Sequence, residues 1–134
     1  MSKATFFTAL SLCTFLFAAN LSSLQAQTTN VWKGGFPGHE TDWNQSRNWS
    51  LGKTPDVFDR VIIPDVSTST QKYPIVKEGE IEVLSLEVRS GASLTLLRSV
   101  RIVADEFVCN GTCKGCEWRV LVEGTQATTA ASRQ

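Results

Sequence analysis

The chain has 134 residues, with 13 basic and 13 acidic side chains, one His, four Cys and four Trp. That length suits one domain rather than two independent cores. A formal charge of zero with 19% charged residues argues against nucleic acid as a partner, and 42% hydrophobic residues exclude a disordered polyelectrolyte.

In chain order, Lys3 is followed by an uncharged apolar run from Ala4 to Ala19 and a polar stretch from Asn20 to Gln27. This is the order of a secretory signal peptide, with cleavage expected between Ala26 and Gln27. An uncleaved anchor helix needs about 20 apolar residues, and this run is shorter and broken by Thr and Ser. Lipid modification at Cys13 is disfavoured because Leu12 stands where a small residue is needed. Removing residues 1–26 takes away Lys3, so 12 basic side chains face 13 acidic ones in the mature chain. No polybasic membrane patch survives that count, and the expected location is secreted or cell-surface.

Residues 27–123 read as one all-β domain, with a Trp-rich block over 27–56 and strands over 57–123. Three Trp, at 32, 43 and 49, stand among Asn, Asp, Gly and Pro. Indoles supply large buried area and an N–H that needs a partner, and Asn and Asp can satisfy such groups and cap turns. Strands are expected at 57–63, stopped by Pro64, and at 80–88, with Leu84, Leu86 and Val88 on one face. Further strands are expected at 93–96, 100–102, 107–109 and 118–122, with turns at 89–92 and at Asn110-Gly111. The adjacent acids Asp105 and Glu106 are expected to form a turn. Gly91 and Gly111 each follow a short apolar alternation, and Leu86-x-Val88 and Phe107-x-Cys109 recur at nearly the spacing of those two glycines. Such a repeat suits one coil of a β-solenoid, while strands about every 8–12 residues suit a β-sandwich equally. Residues 124–134 lack periodicity and are expected to fray.

An ordered set of small motifs adds to this pattern: Trp32-Lys33-Gly34, Asp42-Trp43-Asn44, Asn48-Trp49, Gly52, Pro55, Ile63-Pro64, Tyr73-Pro74 and the run Leu86 to Leu96. Together they resemble a Trp-rich module at the start of many bacterial secreted and cell-surface proteins. The resemblance covers residues 31–112 and implies a short right-handed parallel β-helix, similar to pectin-lyase-like folds, with the Trp block as its N-terminal cap. A β-sandwich is the alternative. Relatives of that kind run through many more coils, so the resemblance marks this chain as a minimal or truncated member, or one that completes its core by self-association. It also carries cysteines where such relatives commonly have Asn-Asn-Gly turns.

Cys109, Cys113 and Cys116 have the spacing of an iron–sulfur motif. The sequence after Cys116 is too short for the large α/β barrel that motif serves, and an exported chain leaves the reducing compartment. A zinc site needs a fourth ligand, and the one His, His39, lies in the Trp block. One disulfide, Cys109–Cys116 or Cys109–Cys113, with one thiol over, is the expected use. Asp42-x-Asn44-x-Ser46 begins like a calcium loop, but Arg47 replaces the required Gly. His39 has no nucleophile motif beside it, and neighbouring acids on a strand point to opposite faces. No catalytic residue, cofactor or metal is therefore assigned. Asn44-Gln45-Ser46, Asn48-Trp49-Ser50 and Asn110-Gly111-Thr112 are glycosylation triplets that matter only in a eukaryotic secretory route.

The expected function is non-enzymatic, structural or adhesive, with polysaccharide or other surface proteins as partners. A carbohydrate-binding module stacking sugars on Trp43, Trp49 and Trp118 is the alternative. A remnant of a polysaccharide-active enzyme is a further one, and it lacks the coils to build an active flank.

Overall fold

A computed structural model describes residues 26–116 and the backbone of 120–122. The expected signal segment, Trp118 and the tail 124–134 lie outside the described residues, as does part of the last expected strand. The chain is all-β. Its strands are β1 (Thr28–Val31), β2 (Asp59–Ile63), β3 (Ile75–Val88), β4 (Ser93–Cys109), β5 (Thr112–Lys114) and β6 (Val120–Val122). They form one curled sheet in the order β1-β2-β3-β4-β5, with β6 also on β4. Every pairing between these strands is parallel. The antiparallel hairpins of a sandwich are absent among the described strands.

The register carries the repeat seen in the sequence. Ile75 aligns with Thr95, Ile81 with Ile102, and Val88 with Cys109, so the offset between partners on β3 and β4 holds constant to within a single position. One rung further, Ser93 aligns with Thr112 and Ile102 with Val120. Equivalent positions of successive rungs therefore stack as columns. Val61, Leu86 and Phe107 form one, and Ile63, Val88 and Cys109 another. Val76 with Leu96, and Val83 with Ala104, extend the same core on other segments. Stacking the columns removes β-branched and leucine side chains from water, at about 25 cal/mol per Å² of apolar surface.

Three features of the ladder differ from the expected strands. The runs 93–96, 100–102 and 107–109 are one continuous strand. The break between the first two is a bulge, because Val76 pairs with Leu96 and Glu78 with Ser99. The additional residue bends β4 there without ending it, leaving Leu97, Arg98 and Ser99 exposed. The Ser99 hydroxyl donates to the Lys77 carbonyl at 3.1 Å across the bend.

Asp105 and Glu106 are likewise strand rather than turn, and both are exposed. Ala104 is buried before them and Phe107 packs on the core after them, so the inward parity slips by one residue. The same slip occurs opposite, where Ile81 and Val83 are buried, then Leu86 and Val88. Leu84 accordingly does not share the buried face of Leu86 and Val88. Alternating patterns assume a flat strand, and a bent one changes phase at the bend. Finally, Val57 and Phe58 precede β2 as an exposed turn.

The turn at 89–92 forms as expected. Ala92 N–H donates to Arg89 C=O at 2.9 Å, and Gly91 adopts φ +80°. The corner at Asn110-Gly111 stacks directly on it, with Asn110 N–H on Val88 C=O at 2.8 Å and Thr112 N–H on Ala92 C=O at 2.9 Å. Gly111 is required by proximity rather than by a left-handed backbone. A Cβ there would lie 2.3 Å from the Ala92 oxygen and 2.5 Å from the Arg89 oxygen.

Candidate functional site

Two constellations concentrate polar and reactive groups: the tryptophan block before β2 and the cysteine corner after β4. The block is the long connection from β1 to β2. Trp32 lies just past β1, and its N–H donates to Ile62 C=O at 2.9 Å, extending the ladder by one residue. The block then returns to the sheet at Thr41, whose carbonyl accepts from Ile75 N–H at 2.8 Å, and Asp42 bridges Ile75 in parallel. It thus adds a partial rung in front of β3.

Trp32, Trp43 and Trp49 are all buried, at 1%, 1% and 0% exposure. Trp49 sits between the other two rings in edge-to-face geometry, 5.0 Å from Trp32 and 4.7 Å from Trp43. All three belong to one apolar cluster with Val61, Ile63 and Val76. The Trp49 indole N–H donates to Trp43 C=O at 2.8 Å, and that of Trp32 to Lys72 C=O at 2.8 Å. Gly34 at φ +64° packs on that second bond; a Cβ would fall 2.6 Å from the Lys72 oxygen. This explains the Trp-x-Gly spacing. Trp43 Nε1 is buried with no partner among the described residues.

Asn48 holds the loop that carries the rings. Its amide donates to His39 C=O at 2.7 Å and to Asp42 C=O at 3.0 Å, while its oxygen accepts from Phe36 N–H at 2.9 Å. With no exposure, it substitutes for backbone pairing that an irregular loop lacks. Asn30, equally buried, donates to Lys53 C=O and accepts from Leu51 N–H. Asp59 is a buried carboxylate, held by the Thr28 hydroxyl, Asp56 N–H and Lys53 Nζ at 3.0 Å. Lys53 also reaches Asp56 at 2.5 Å. That contact and the one to Asp59 raise the Lys53 pKa, and the Lys53 contact, with Phe58 N–H, lowers that of Asp56. Sequence reading names Asn48 only in the Asn-Trp motif and a glycosylation triplet, and it singles out neither Asn30 nor Asp59. A buried Asn in a Trp-rich loop carries no local signal that separates it from an exposed one.

These positions bear on the expected sugar platform. A ring at 0–1% exposure offers no face to a ligand, so Trp43 and Trp49 do not form one here. Their neighbours bury them because the block folds back onto the mouth of the strand columns. On the outer side, His39 stacks on Phe36 at 6.2 Å and pairs with Asp42 at 3.6 Å, and Arg47 lies 5.0 Å from the Phe36 ring centre. No nucleophile adjoins His39 in these contacts. Asn44 N–H donates to Asp42 Oδ1 at 3.0 Å, an Asx turn.

Past the end of β2, Asp65, Tyr73 and Gly91 tie two corners together. The Tyr73 hydroxyl donates to Asp65 Oδ1 at 2.6 Å and lies 2.8 Å from Gly91 C=O. This hydroxyl, followed by bonds from Ser67, lowers the Asp65 pKa.

Cys109 ends β4, Cys113 sits in β5, and Cys116 follows it. All three are free thiols; Cys116 is buried and the others half-buried. The neighbouring Cys116, burial and the neighbouring Cys109 raise the Cys113 pKa. Cys109 Sγ donates to Gly111 C=O at 3.6 Å. Among the described residues no group of three or more His, Cys, Asp or Glu is arranged to hold a metal ion, and no helix is long and apolar enough to cross a membrane.

No family model, curated protein or solved structure matches this chain.

Proposed function

We propose that this chain is a non-enzymatic structural module of a secreted or cell-surface protein, a short parallel β-helix closed at one end by its tryptophan block. The observation that carries the reading is the parallel register between β3 and β4, which keeps one offset along both strands, with three indoles buried in front of the first full rung. Stacked coils bury a continuous core only between neighbours, so the first rung needs a cover. Trp32, Trp43 and Trp49 supply that cover, and Asn48 and Asn30 hold the loop that carries them. Parallel crossovers in one sheet are right-handed in about 98% of cases, and this favours the right-handed sense for the coils. Export rests on the order of residues 1–26 and adhesion or self-association on the Trp-rich motif order.

The test separates cover from binding surface. In a Trp118→Phe variant, Trp32, Trp43 and Trp49 alone report fluorescence. The expected emission is blue-shifted, resists acrylamide and does not change with a panel of polysaccharides; no polymer is turned over. A saturable polysaccharide-dependent quench in that variant would overturn the structural role in favour of sugar binding.

A further inference from the structure

The inward columns of the sheet change chemistry one rung past Val88 and Leu94. Val88 and Leu94 are fully buried on either side of the 89–92 corner. Their register partners one rung on are Cys109 and Cys113. The two inward positions that flank this corner are therefore both thiols. Cys116 is buried in the same cluster, against which Cys109 and Cys113 pack. Cys113 lies in β5 between the other two in sequence, and both of them act on its proton affinity.

We infer that Cys109, Cys113 and Cys116 form a thiol–disulfide exchange site, with Cys113 as the common partner and a low-molecular-weight disulfide as the oxidant class. Cys109 is the entry thiol, set at the end of β4 where the chain turns into the corner. As a thiolate it attacks one sulfur of oxidised glutathione, forming a mixed disulfide and releasing one glutathione thiolate. Cys113 then gives up its proton and attacks Cys109 Sγ, forming Cys109–Cys113 and releasing the second glutathione. Cys116 in turn attacks Cys113 Sγ, which leaves Cys113–Cys116 inside the core and returns Cys109 as a thiolate. Overall two protein thiols and one glutathione disulfide become one protein disulfide and two glutathione thiols. The neighbouring Cys116, burial and the neighbouring Cys109 all hold the Cys113 thiol far above the ordinary thiol range. A thiol so raised attacks an external disulfide slowly, whereas its attack on Cys109 Sγ is intramolecular.

The sequence provides the assay. Trypsin cuts after Arg101, Lys114 and Arg119, so Cys109 and Cys113 share the peptide 102–114 while Cys116 lies in 115–119. The reduced full-length protein is oxidised with glutathione disulfide, alkylated and mapped by mass spectrometry without reduction. The two peptides are expected to be joined in wild type and in Cys109→Ala, more than tenfold more slowly in the latter. Cys116→Ala should instead close a loop within 102–114. Cys113→Ala and Cys113→Ser should lose the joined product at least tenfold, with far-UV circular dichroism confirming the fold of each. Joined peptides at wild-type yield in either Cys113 variant would overturn the assignment. So would a product ratio in folded protein equal to that in concentrated urea, or no disulfide at all.

Discussion

Replacing Trp49 by Ala tests whether the tryptophan block is part of the core or an appendage to it. The ring is fully buried and touches both other indoles at 5.0 and 4.7 Å. Deleting a buried aromatic side chain costs about 3–5 kcal/mol through lost transfer and an unfilled cavity. The two edge-to-face contacts add about 0.5–1.5 kcal/mol each, and Trp43 C=O loses its indole donor at about 1 kcal/mol. Part of the ring-contact energy is already in the first figure, so the expected loss is about 5 kcal/mol. Domains are stable by about 5–15 kcal/mol, so this loss removes from about a third to all of that stability. Trp49→Phe keeps a ring between its neighbours and gives up the N–H donor, for about 1–2 kcal/mol. Urea unfolding followed by far-UV circular dichroism reports the sheet rather than the indoles. A loss below about 1 kcal/mol for Trp49→Ala, or a sheet transition that stays in place while indole fluorescence moves, would refute the reasoning.

Other substitutions probe separate links in the same account. Asn48→Ala removes bonds to Phe36, His39 and Asp42 and should cost about 3 kcal/mol by urea midpoint, because buried backbone groups lose their partner. Gly111→Ala drives a methyl into the Ala92 and Arg89 carbonyls and should cost about 3 kcal/mol. Hydrogen exchange would place that damage first at Thr112–Lys114, and a stability unchanged from wild type would contradict the stacked corners. Asp65 has a folded pKa below its ordinary 3.8, so its contribution is present above that value and is lost as pH falls through the folded one. Tyr73→Phe should therefore shrink the loss of stability below pH 3.8, read from urea midpoints across an acid series. An acid profile identical to wild type would show that the hydroxyl does not hold the carboxylate.

The sequence foretold the repeat better than the strand ends. Gly91 and Gly111, one coil apart, mark corners that do stack, since both rungs must turn at the same height. The strands between them were harder to read because the sheet bends without breaking. At 97–99 the bend is a bulge, and at 105–106 it is a change of inward parity, so polar pairs that look like turns belong to a continuous ladder. Leu84 misleads for the same reason. In the block, Trp-x-Gly was visible as a motif, and its cause, the Trp32 to Lys72 bond pressed against Gly34, depends on a residue far along the chain. Burial of Trp43 and Trp49 depends on the fold-back of the block onto the strand columns, which local composition does not encode. The cysteine spacing leaves the pairing open, and the register adds that Cys109 and Cys113 stand on the columns of Val88 and Leu94.

The central claim, parallel rungs stacked in the β3–β4 register, is tested most directly by proximity. In a chain with its native cysteines replaced by Ala, Glu87→Cys with Val108→Cys places thiols on neighbouring rungs, and Ile62→Cys with Val108→Cys places them two rungs apart. Neighbouring strands lie about 4.8 Å apart, and the second pair about twice that. A short bimane cross-linker should close the first pair rapidly in folded protein and leave the second open. Equal cross-linking of both pairs, or none at 87 and 108, would contradict the stacked register.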